Sequence, residues 1–159
     1  WMNGDIKLAT LSDTDDTDVT GSELVTNGTF DTDTSGWTSY YNAALSLDAN
    51  RLKVANTDTA YAMASQAITT EVGKRYLMVA DYIVGSGTGF GQIRAGTSLG
   101  SANLKSVQVS GSQTIRLGFT ATTTTTYVAA IVSSASLSAY SLYDNISVRL
   151  AEEDRSVNG

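Results

Sequence analysis

Apolar and polar residues alternate along most of this chain from Glu23 onward. RLKVA puts Leu52 and Val54 on one side. KRYLMVADYIV sets Tyr76, Met78, Ala80, Tyr82 and Val84 against Leu77, Val79, Asp81 and Ile83. SQTIRLGFTAT sets Ile115, Leu117 and Phe119 against Thr114, Arg116, Gly118 and Thr120. The last run, SLYDNISVRL, alternates Leu142, Asp144, Ile146, Val148 and Leu150 with Tyr143, Asn145, Ser147 and Arg149. A period of two is the mark of half-buried strands. Further strands are expected near 61–69, 91–96 and 126–133. The separators ANTDTA, TEVGK, GSGTG, TSLGSAN and QVSGSQ are rich in turn residues, and TATTTTT reads as a turn or strand edge. No helix-length stretch shows a period of 3.6. The pattern predicts an all-β chain, a two-sheet antiparallel β-sandwich (jelly roll). Leu52, Val54, Tyr76, Met78, Ile93, Leu117, Phe119, Ile146 and Val148 are expected between its sheets.

A length of 159 residues with 42% apolar residues suits one domain with a proper core. Without Cys or His there is no disulfide, no zinc site and no histidine general base, which leaves only a hard cation on oxygen ligands. Without Pro, the turns fall to Gly, Asn, Asp and Ser. The net charge of −6 is uneven: eight of the 16 acids precede residue 36, where Lys7 is the single base. With no basic stripe, nucleic acid is not expected as a partner. The apolar runs are too short for membrane insertion as helices. Residues 1–22, with LSDTDDTDVTGS, read as an acidic linker or extended arm. Calcium-loop spacing in DTDDTD is the weaker alternative, because the Gly and terminal Glu of an EF-hand loop are missing. The domain is expected over 23–150 and a C-terminal linker over 151–159, as in a piece of a longer polypeptide.

Three elements carry a resemblance: ELVTNGTFDTDTSGW at Glu23–Trp37, Val72-Gly73-Lys74-Arg75-Tyr76, and Asp144-Asn145-Ile146. In this order and separation they resemble the jelly-roll carbohydrate-binding modules appended to xylanases and endoglucanases, over about residues 23–150. Asp31 stands where that family more often has Glu. The flanks WMNGDIKLA and VRLAEEDRSVNG are similar to segments of tail or other virion proteins of marine bacteriophages. The resemblance implies a structural calcium ion on Asp144, with oxygens from around Glu23, Gly28 and Asp31.

By phase, Asp144 starts its strand pointing towards the core, where a carboxylate must meet a cation, backbone donors or an opening. Calcium and a purely hydrogen-bonded Asp both satisfy this. Trp37 follows a Gly turn and reads as core, as do Tyr76 and Tyr82. The ligand candidates lie off the apolar phase: Gln92, Arg94, Arg116 and Tyr127, expected to meet on neighbouring strands, with Tyr40 and Tyr41 in a loop. Aromatic platforms beside planar amide and guanidinium groups suit sugar recognition. A glycosidase needs two carboxylates facing one cleft. Asp58 and Asp81 show no carboxylate partner in the sequence, so no enzyme is expected. The leading expectation is a non-catalytic domain that binds a glycan or polysaccharide, within a larger extracellular or virion protein. The rival is a structural or decoration domain of a phage particle. A concave sheet face with an exposed Tyr or Trp beside Arg94 or Arg116 would favour the former, and a flat face covered by Thr and Ser the latter.

Overall fold

The computed structural model describes residues 17–19, 21–41, 43–57, 62–87, 90–132, 134 and 136–153. Most of the expected N-terminal arm, including Asp13, Asp15 and Asp16, lies outside the described residues, as do Asp58 and the tail from 154. Among the described residues there are eleven strands: β1 (Thr17–Val19), β2 (Thr38–Tyr40), β3 (Ala43–Leu47), β4 (Leu52–Asn56), β5 (Ala62–Thr69), β6 (Arg75–Ser86), β7 (Phe90–Gly96), β8 (Lys105–Ser110), β9 (Gln113–Thr120), β10 (Thr125–Val132) and β11 (Tyr140–Glu153). All pairings between them are antiparallel. The first sheet runs β3-β4-β11-β6-β9, with β1 added along the end of β11, and the second runs β2-β5-β10-β7-β8.

The residues that alternate inward from both sheets make one core, including every residue expected there from the pattern, together with Trp37 and Tyr82. Phe30 joins them fully buried, its ring 5.7 Å from Trp37. The Trp37 indole donates to the Asn27 carbonyl at 3.0 Å. The Gly-Lys element is a turn: Lys74 N–H reaches the Glu71 carbonyl, and Gly73 takes a φ of 86°.

Three sequence expectations change. The stretch of Tyr40 and Tyr41 is not a plain loop, because Tyr40 ends β2 and β3 follows at once. Strand β8 occupies part of a segment expected as turn. The alternation of the last strand is also broken. Its register against β6 shifts between Asp144 and Ser147, with Asn145 at a φ of 49°. Before this bulge the inward phase is Tyr143, and after it Ile146 and Val148. Asp144 therefore faces outward, not towards the core.

Where β4 ends, the chain's N-terminal segment takes over its side of β11. Ile146 N–H bonds the Gly28 carbonyl, Leu24 N–H the Val148 carbonyl and Gly21 N–H the Leu150 carbonyl, at 2.9–3.2 Å. The Glu23 carboxylate caps this seam, accepting from Val148 N–H at 2.8 Å and from the Ser147 hydroxyl at 2.6 Å. On the second sheet, the Gln66 amide stands in for a strand, accepting from Thr26 N–H and donating to the Thr26 and Gly36 carbonyls.

Candidate functional site

On the second sheet, Ile93, Ala95, Val128 and Ala130 point into the core, so their neighbours in sequence face outward. That outer face carries three of the sequence candidates together. Ile131 pairs with Gln92 and Ala129 with Arg94, while Tyr127 lies opposite Gly96 on the same strand pair. Tyr40 reaches the same face at its edge, in register with Met63. The register also adds two residues the sequence reading missed. Gln108 lies directly opposite Gln92, and Phe90 opposite Ser110, two pairs further along and so on the same face. Phe90 is 46% exposed although apolar. The signal was available, since Phe90, Gln92 and Arg94 share one period-two phase.

Gln92 is held from behind. The Tyr143 hydroxyl, reaching across from the first sheet, accepts from Gln92 N–H at 2.9 Å and donates to the Ile131 carbonyl. Burial raises this phenol's pKa, so it stays neutral. At the other edge the Tyr40 and Tyr41 rings are 4.3 Å apart, and the hydrogen bond to Tyr41 pushes the Tyr40 pKa up.

The centre of the face is filled by the chain itself. Met63, Ala129 and Ile131 form a small apolar cluster, almost wholly buried under Tyr40 and the connection between β7 and β8. Arg94 donates through Nη1 to the Gly100 carbonyl at 3.0 Å, while its Nε is buried with no hydrogen-bond partner among the described residues.

Arg116 does not join this group. It lies on β9 of the first sheet, opposite Val79, and faces the other side of the sandwich. That side also holds a polar pocket of about 400 Å³ lined by Arg51, Asp81, Thr114, Asp144 and Asn145, among others. Asp81 has a carboxylate neighbour after all, since Asp144 is its cross-strand partner. Both Asp81 oxygens accept hydrogen bonds, from Thr114 at 2.7 Å and Asn145 at 2.9 Å. Partial burial raises the Asp144 pKa; the Asn145 N–H opposes this, Asp81 and Asp31 add to it, and Arg51 counters. Of the expected calcium donors, Glu23 is occupied at the seam, Gly28 O accepts the Ile146 N–H, and Asp31 accepts from Thr29 at 3.1 Å. Among the described residues no three His, Cys, Asp or Glu side chains gather around a common point. Asp144 and Asp31 share excess negative charge, chemistry that fits a hard cation.

No family model and no curated protein matches the sequence. Solved structures do match. A family 4 carbohydrate-binding module superposes with a TM-score of 0.60 at 13% identity, over 79% of this chain and 99% of that chain. A xylan-binding domain of family 22 gives 0.60 at 16% identity, over 81% and 96%. The enzymatically active domain of tailspike protein 4 of bacteriophage CBA120 gives 0.54 at 18% identity, over 80% of this chain and 21% of that one. Likeness at these identities is one of architecture. The chain has the two-sheet jelly-roll fold of carbohydrate-binding modules.

Proposed function

We propose that this domain is a non-catalytic glycan-binding module whose site is the outer face of the second sheet, at the corner formed by Phe90, Gln92 and Gln108. The observation that carries the reading is an exposed aromatic ring beside two amide side chains on paired strands. The ring offers an apolar face to a sugar, and the amides match donors to acceptors among its hydroxyls. Net contributions of about 1 kcal/mol per polar contact make the affinity weak, roughly micromolar to millimolar.

An extracellular or virion setting within a longer chain belongs to the same proposal. It is supported by the likeness to a xylan-binding domain and to a phage tailspike. So does a structural calcium ion, which would be held by Asp144 and Asp31.

A glycan array followed by calorimetry tests the reading. Phe90→Ala and Gln92→Ala should each weaken binding about tenfold with the melting temperature nearly unchanged, whereas Arg116→Ala should leave affinity intact. Loss of binding in Arg116→Ala alone would move the site to the other sheet. A folded protein that binds no glycan would favour the structural or decoration role, for which the self-filled centre of the face speaks.

A further inference from the structure

We infer that the segment 97–104 closes off the glycan site, so that it takes a chain terminus or a short branch instead of the interior of a long polysaccharide. This rests on the glycan-binding reading above. An interior segment needs a surface open across the sheet, strand after strand. Here the row through Ala129 and Arg94, and the Met63 end of the row through Ile131, are roofed. At Gly100 a Cβ would stand 2.6 Å from the Tyr40 ring and 3.5 Å from the Met63 sulfur. At Gly96 it would stand 2.3 Å from the Ser101 carbonyl oxygen. Both positions are glycine, and so the segment lies directly on the sheet.

The roof is built, not draped. The Asn103 side chain accepts from Thr97 N–H at 2.9 Å and the Ser101 hydroxyl at 2.7 Å, and donates to the Thr97 hydroxyl at 3.0 Å. Two further bonds tie the segment down, Arg94 Nη1 to the Gly100 carbonyl at 3.0 Å and Leu104 N–H to the Ala95 carbonyl at 3.2 Å. Beyond this obstruction, towards Phe90, the face is exposed again. A sugar stacked there meets the roofed rows after its first units.

The test is calorimetry of the intact chain with xylo- and cello-oligosaccharide ladders from disaccharide to hexasaccharide, and an array presenting further glycans as free ends and as chain interiors. Affinity should rise less than about threefold along a ladder, and free ends should be preferred. A gain of about tenfold or more from disaccharide to hexasaccharide would overturn the inference while leaving the glycan reading intact. Silence on every ladder and array, in a protein that melts cooperatively, would overturn both. A second chain, with Ser98–Ala102 replaced by Asn-Gly, should acquire the steep length dependence. Unchanged length dependence in a folded variant would show that another element ends the site.

Discussion

At the scale of single residues, the first motif is structural in each of its marked positions. Asn27 sits at a φ of 56° and its amide gathers the Asp33 and Ser35 carbonyls, which aims Trp37 inward beside Phe30. Trp37→Ala should cost about 3–5 kcal/mol, read as a loss of denaturant midpoint, and not as a loss of affinity alone. Gly28 is stricter still, because a Cβ there would come within 2.0 Å of the Ile146 carbonyl oxygen. Gly28→Ala should destabilise by about 3 kcal/mol or more; a variant as stable as the parent would show that the seam with β11 yields easily. Asp144 carries a signed pH effect. Its pKa is raised in the folded state, so its favourable contribution is complete below the ordinary carboxylate range and disappears as pH rises through the raised value. In chelator, Asp144→Asn should therefore melt slightly above the parent at neutral pH and lose that advantage in acid. Added calcium should lift the parent and not the variant. The type of Asp144 was legible in the sequence, but its direction was not, since the reversal depends on one left-handed residue after it.

At the scale of elements, alternation revealed the strands whose two faces differ most. β4 and β9 each set large apolar residues against smaller or polar ones, and β6 keeps the period over twelve residues although Leu77, Val79 and Ile83 lie on its second face. It failed for β3 and β8, where Ala, Ser and Gln blur the contrast, and for β2, which is only three residues long. The bulge in β11 escaped because a period count has no term for one extra residue. Asn145 suits the left-handed position, so Asn145→Gly should be nearly neutral while Asn145→Val should cost about 1–2 kcal/mol by thermal melting. A tolerated Val would mean that the register shift is set by the partner strand β6.

At the scale of the whole molecule, the sequence placed Gln92, Arg94 and Tyr127 on one face correctly, because phase along a strand and proximity in the chain agree there. It could not separate Arg116 from them. Which sheet a strand joins is decided by crossovers, and β9 crosses to the sheet opposite its neighbour β8. The two sheets are tied by more than apolar contact, since the Tyr143 hydroxyl from one is bonded to the backbone of two strands in the other. Tyr143→Phe should cost about 1–3 kcal/mol and loosen Gln92, so weaker glycan binding should accompany the lower stability. If stability falls and affinity does not, Gln92 is held by its ladder alone. The pairing of β1 with the end of β11 has a mechanical consequence. Thr17 and Glu153 are directly opposed in an antiparallel ladder. Tension applied through these two points pulls the strands apart like a zipper, breaking one bond at a time instead of shearing several together. Under load the domain should first release β1 at low force and lengthen by a few residues, while the sandwich beyond it stays closed.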